Sequence, residues 1–209
     1  SHRVATENCL WAMPESKIGL FPDVGASHAL SRCSEMLGWY LALSGRSIDV
    51  QTAYDLALVN TVALSSALPD IEKALCSVDF SGDPFAVVDA VLLGFHQTPE
   101  DPCLSEYYPI IRRCFSQPSC QELVDSLQFE NTPWCDELVH DLQQRSPFSL
   151  ELIFEQLYRA GSMSFDDVIQ QDYTLVHHFV RDDNLYEGIR AALIDKDQSP
   201  KWNLASLDQ

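Results

Sequence analysis

Between Met13 and Gly25 the chain reads MPESKIGLFPDVG, and this run constrains the fold more than any other. Glu15 and Asp23 stand eight residues apart in it, on either side of an apolar connector. Gly19, Pro22 and Gly25 deny the run a continuous helix, so it reads as a turn-rich link between elements. Carboxylates are costly in apolar surroundings unless they are paired or put to use. Read locally, each also has an ordinary role. Glu15 suits a solvated strand end, and Asp23 suits a turn whose side chain caps the next helix.

Around this run the pattern changes. Residues 1–25 read as short strands and turns, with RVA and CLWAM as β-prone runs separated by Thr6-Glu7-Asn8. From about Ser27 the spacing of Leu30, Met36, Leu37, Tyr40 and Leu41 predicts helix, with Gly45 as its stop. Val50–Leu58 reads as a short helix, and LVNTVAL after it as a strand. Beyond Ser81-Gly82-Asp83-Pro84 the chain reads as successive amphipathic helices. Ser146-Pro147 marks one helix start, and Ser164 with Asp167 resembles a capping box. The expected class is α/β, divided into an α/β part over 1–62 and a helical region over 63–209.

Charge limits the partners. Thirteen basic residues against 31 acidic ones give a net charge of −18, which repels nucleic acid and anionic membranes. No apolar run reaches the roughly 18 residues of a membrane span. Seven scattered cysteines show no C-x-x-C pair and no zinc spacing, which points to reduced thiols, an intracellular compartment and no bound metal. His177-His178 sits in a helix and Arg112-Arg113 is an isolated pair; both read as structural. So does His28, a lone histidine entering a helix.

A second run, YEGIRAALIDKDQSPKW from Tyr186 to Trp202, joins the first in a resemblance. Together they resemble the 3-hydroxyisobutyryl-CoA hydrolases of the enoyl-CoA hydratase/isomerase, or crotonase, superfamily. The resemblance implies the later part of a β-β-α spiral core followed by a mostly helical C-terminal region. It places Glu15 in the thioester pocket, where the superfamily has the Glu of its Met-Pro-Glu stretch. Hydratases commonly carry Gly where this chain has Asp23, whereas the hydrolases carry Pro-Asp-Val-Gly, so Asp23 points to hydrolysis. Glu15, Asp23 and Gly25 are thereby expected at the 3-hydroxyacyl thioester, with Glu15 and Asp23 catalytic. Glu15 serves either as base on water or as direct nucleophile, and two nearby carboxylates push one pKa upward.

The resemblance also implies an acyl-CoA substrate, no cofactor beyond it, and valine breakdown as its setting. Lys196 is the best match to a CoA-contacting Lys, with Arg190 and Lys201 behind it. Between Asp195 and Asp197, Lys196 equally suits surface ion pairs. Trp202 is expected to pack the C-terminal segment. The family's oxyanion hole, adenine pocket and a further substrate-binding Glu lie upstream of Ser1. The chain is therefore expected to be part of a longer protein and to need that segment for catalysis. A homo-oligomer is compatible with it, and so is a cytoplasmic location in a bacterium or the mitochondrial matrix in a eukaryote. Ala26 and His28 depart from relatives that continue with Gly and an aromatic residue. Two other readings are a hydratase or isomerase of the same superfamily and a non-catalytic interaction subunit.

Overall fold

The β-prone runs near the start of the chain give one short strand, β1 (Val4–Thr6), which pairs in parallel with β2 (Thr61–Ala63). The register is Val4↔Thr61, Ala5↔Val62 and Thr6↔Ala63. CLWAM forms no strand; only Trp11 meets a partner, in a single antiparallel bridge to Ile48. Leu10 beside it is 76% exposed, so the run lacks a buried face to hold it in a sheet. The structure, a computed structural model, describes residues 2–98 and 103–203. Over those residues contacts group the chain into two units, each assembled from two stretches.

The first unit comes from Ser1–Trp11 and Ser47–Glu106. It holds the two strands and three helices: α3 (Val50–Asp55), α4 (Leu68–Ser77) and α5 (Pro84–Leu93). Ala63, Ile71 and Leu92 are its buried cluster, with Leu75, Val88 and Phe95 packed against them. Two parallel strands alone are marginal. Here the β2 end is fastened by helical packing, and Arg3 ties the start of β1 to the Ala57 and Leu58 carbonyls at 3.1 and 2.8 Å. The 62/63 division drawn from sequence falls inside this unit, because Ala63 packs on α4 and α5.

The second unit, from Ala12–Arg46 and Tyr107–Gln209, is helical. Its helices are α1 (Ala26–Leu30), α2 (Leu37–Ser44), α6 (Tyr108–Phe115), α7 (Cys120–Glu130), α8 (Pro133–Gln143), α9 (Pro147–Ala160), α10 (Phe165–Phe179) and α11 (Asp183–Ile189). A π-turn, Arg190–Ile194, follows α11. Apolar all round, α2 is buried at Leu37, Tyr40, Leu41, Ala42 and Leu43. Ser146 caps α9 through Ser149 N–H. The Ser164–Asp167 capping box is present in both directions, with Asp in the place of Glu.

The continuous helix expected from Ser27 to Gly45 is broken. Glu35 and Met36 adopt positive φ, 55° and 60°, between α1 and α2. After the break the chain folds back on α1, and Gly38 of α2 lies so close to it that a Cβ would come within 1.8 Å of the Leu30 carbonyl oxygen. The Arg32 guanidinium reaches back to His28 O and across to Ala160 O and Met163 O, at 2.7, 3.1 and 2.9 Å. Of the cysteines, Cys114, Cys120 and Cys135 are buried, while Cys76 and Cys103 are exposed. No helix among the described residues is long and apolar enough to cross a membrane.

Candidate functional site

Glu15 opens a single 3-10 turn, Glu15–Ile18, which Gly19 ends. The turn is pinned from behind by α11. There Gly188 lies so close to Ile18 that a Cβ would come within 2.2 Å of the Ile18 carbonyl oxygen. The Glu15 side chain is half-buried, and its Oε2 is shielded from solvent with no hydrogen-bond partner. Burial pushes its pKa above the ordinary carboxylate range; its own backbone N–H opposes this, and the Asp23 charge adds to the rise. The charge of Asp23 thus reaches Glu15, the other carboxylate the sequence singles out. Lys17, on the same turn, is driven the other way by burial and by Arg145 and Arg46, so its ammonium is less strongly held.

Asp23 sits in the turn before α1. Its carbonyl accepts the Ala26 N–H at 2.9 Å, but its side chain caps nothing; the residue at the helix start is Gly25. The backbone here is unusual. Val24 at φ 49° and Gly25 at φ 81° are consecutive left-handed residues. For a β-branched residue that conformation is strained and persists only where the surroundings impose it. Glycine is required next to it: a Cβ on Gly25 would meet the Phe165 ring at 2.5 Å and Ile169 at 3.2 Å.

Two buried polar side chains impose this turn, and sequence reasoning passed over both. Asp172 of α10 is 5% exposed and Gln156 of α9 is 2% exposed. Asp172 Oδ2 accepts the Gly25 N–H at 2.8 Å. Gln156 Nε2 donates to Asp172 Oδ1 at 2.9 Å and to Pro22 O at 3.0 Å. Burial raises the Asp172 pKa, these bonds hold it down, and the Asp23 charge again pushes it up. The missed signal was an acid on an apolar stripe. Asp172 lies four residues after Val168 and seven before Phe179, both buried. Gln156 lies likewise among Ile153, Leu157 and Ala160.

Asp23 and Gly25 share the turn before α1, Glu15 stands on the preceding 3-10 turn within reach of the Asp23 charge, and Lys196 lies apart from both turns. Lys196 is exposed, with φ 57°, two residues past the π-turn that packs on Glu15–Ile18. Its neighbours Asp195 and Asp197 pair with Arg190 instead, at 2.6 and 2.7 Å. Arg190 also grips Glu187 and, with the Lys201 N–H, holds that carboxyl down to about 2. Three carboxylates around one Arg190 leave the cluster net negative, which repels a phosphate. Trp202 packs as expected, its Nε1 donating to Gln144 O at 2.9 Å and its ring facing Gly19. His28 stacks edge-on against Phe165, a packing role. A groove of about 630 Å³ lined by Met36, Trp39, Phe115, Phe154 and Tyr158 holds neither carboxylate. Among the described residues no group of three or more His, Cys, Asp and Glu is arranged to hold a metal ion.

A carboxylate with a buried, unpartnered oxygen and a raised pKa, a second carboxylate whose charge it feels and a clamped turn carrying the second are parts suited to acid–base or nucleophilic chemistry. The family model for enoyl-CoA hydratase/isomerase matches residues 1–209. The chain is 37% identical over 212 residues to the mitochondrial 3-hydroxyisobutyryl-CoA hydrolase of Gallus gallus, covering 99% of this chain and 54% of that protein. The Homo sapiens enzyme of the same name is 34% identical over the same shares. Probable 3-hydroxyisobutyryl-CoA hydrolase 3 of Arabidopsis thaliana is 35% identical, with 99% and 56% covered. The chain thus spans about half the length of these relatives.

Among solved structures, a carnitinyl-CoA dehydratase from Mycobacterium thermoresistibile superposes with TM-score 0.88 at 28% identity, over 100% of this chain and 58% of that one. An enoyl-CoA hydratase from Rhodobacter sphaeroides gives 0.80 at 29% identity, over 97% and 56%. These neighbours have the crotonase fold, which agrees with the α/β class expected from the sequence. With a family match along its whole length, the chain belongs to the enoyl-CoA hydratase/isomerase, or crotonase, superfamily.

Proposed function

We propose that the protein to which this chain belongs hydrolyses a 3-hydroxyacyl-CoA thioester, with 3-hydroxyisobutyryl-CoA as substrate and 3-hydroxyisobutyrate and CoA as products. The observation that carries this reading is the buried, unpartnered Oε2 of Glu15, a carboxyl that feels the Asp23 charge, in a chain whose named relatives are hydrolases of that thioester. Glu15 has the free Oε2 and raised pKa of a group that takes up a proton. It removes one from water as the water oxygen bonds to the thioester carbonyl carbon. Alternatively it attacks that carbon itself, giving a mixed anhydride that water then opens. In both routes the C–S bond breaks and the thiolate leaves. Asp23 holds the substrate 3-hydroxyl or assists the water.

Oxyanion stabilisation is a large electrostatic contribution to such a reaction, and this reading assigns it to backbone N–H groups upstream of the chain. Lys196 is assigned to the CoA moiety, its charge offset by the flanking Asp195 and Asp197. No cofactor beyond the substrate's own CoA is invoked. The same reading places the reaction in valine breakdown and, in a eukaryote, in mitochondria, as the names of the chicken and human relatives suggest.

A hydratase is the second reading, favoured by the structural likeness to a dehydratase and a hydratase. The two separate in one experiment. The full-length protein is given 3-hydroxyisobutyryl-CoA with a thiol-trapping reagent and, in parallel, an enoyl-CoA in water. Thiol release on the first substrate, with no matching hydration of the second, is the expected result. Hydration without thiol release would replace the hydrolase reading by the hydratase one.

A further inference from the structure

The geometry points to Asp172 and Gln156 as the positioning residues of this site, two side chains from separate helices that clamp the Pro22–Gly25 turn at both ends and thereby aim Asp23. This rests on the hydrolase reading above for what Asp23 does. The clamp itself is drawn from contacts alone. Gln156 Nε2 holds Pro22 O at 3.0 Å, just before Asp23, and Asp172 Oδ2 holds Gly25 N–H at 2.8 Å, two residues after it. The 2.9 Å bond from Gln156 Nε2 to Asp172 Oδ1 couples the two holds. From outside, Phe165 and Ile169 close on Gly25 so tightly that it has no room for a side chain.

A core built for stability alone would not place a carboxylate here. Replacing buried charge by well-packed apolar groups is often neutral or stabilising, so its presence asks for a purpose. Local sequence does not choose this turn either, since Val24 is held in a left-handed conformation that a β-branched residue resists. Strain of this kind collects where a catalytic group must be held in one orientation. Both partners of Asp172 are donors, which suits an ionised carboxylate and no other group of its size. An amide at 172 has one acceptor for two donors. With its oxygen kept toward Gln156, its NH₂ meets the Gly25 N–H, and that hold is lost while Gln156 keeps Pro22 O.

The test compares the full-length parent with Asp172→Asn and Gln156→Ala. Three quantities are read: kcat and KM for thiol release, the Tm, and the hydrogen-exchange rate of the Gly25 amide. In Asp172→Asn, kcat is expected to fall about tenfold to a hundredfold, the scale of a small misplacement of a reacting group. KM should stay within about threefold, because the group misplaced acts in the transition state more than in binding. Tm should stay within about 3 °C while Gly25 exchanges at least about tenfold faster, a local rather than global opening. Gln156→Ala should lower kcat in the same direction by a smaller factor, with Gly25 still protected.

An unchanged kcat in a folded Asp172→Asn variant overturns the proposal, and so does a kcat loss that only tracks a falling Tm. If the parent itself releases no thiol, the hydrolase reading has failed, and that is known before any variant is compared. Gly25 exchange then decides the clamp alone: faster exchange in Asp172→Asn supports it, and an unchanged rate overturns it.

Discussion

Replacing Glu15 by Gln is expected to lower kcat for thioester hydrolysis by about 10²- to 10⁴-fold, the usual contribution of a positioned general base, and more if Glu15 is the nucleophile. The isosteric amide fills the same space but neither accepts a proton nor attacks. The same substitution is expected to raise Tm. Glu15 pays for its position: its Oε2 is buried without a partner, and burial disfavours its charged form. A carboxyl whose folded pKa lies above its unfolded value of about 4.3 binds more protons when folded. Its contribution to stability is then full below the unfolded value and lost as pH rises through the folded one. The Tm advantage of Glu15→Gln should therefore be small in acid and grow toward neutral pH. Thermal melts at several pH values check this, and an advantage that shrinks with rising pH would contradict the burial argument.

Gly188→Ala is expected to be the most disruptive single-methyl change at the site. The added Cβ would lie 2.2 Å from Ile18 O, 2.3 Å from its carbonyl carbon and 2.6 Å from its Cα. These are backbone atoms, so no rotamer change relieves the clash. Either α11 or the Glu15–Ile18 turn must move. Overpacking of this kind destabilises by about 3 kcal/mol, or roughly 6–12 °C in Tm for a chain of this size. The moving turn also carries Glu15, so the variant that remains folded at low temperature should lose at least about tenfold in kcat. A melt and a low-temperature rate measurement decide it. A variant with parental Tm would show that the close contact is not rigid.

What the sequence made legible follows from how local each signal is. Helix starts at Ser146 and Ser164 were readable because a cap is decided within three residues, and both are made as expected. That the chain turns at Pro22–Gly25 was readable from its Pro and Gly, but the left-handed Val24 within it was not. The helix break at Glu35–Met36 was not, because it goes with tertiary contacts, Gly38 folded onto the Leu30 carbonyl and Arg32 on carbonyls more than 120 residues away. CLWAM has the composition of a strand, but composition supplies no partner to pair with.

The site divides along the same line. Glu15 and Asp23 share a short run and a family motif, so their association was in view. Asp172 and Gln156 reach the same turn across 147 and 134 residues, and only the packing of α9 and α10 brings them there. A polar residue on an apolar stripe is the trace such a contact leaves in sequence. At the C-terminal end, adjacency misled: Asp195 and Asp197 flank Lys196 but bind Arg190, because the chain turns at Lys196 through positive φ.

The most direct measurement is thiol release from 3-hydroxyisobutyryl-CoA by the full-length protein beside its Asp23→Asn variant. Fast release by the parent and loss of about 10²-fold or more in a variant of unchanged Tm is the result this account predicts. Equal rates in the two proteins, or no thiol from either, would contradict it.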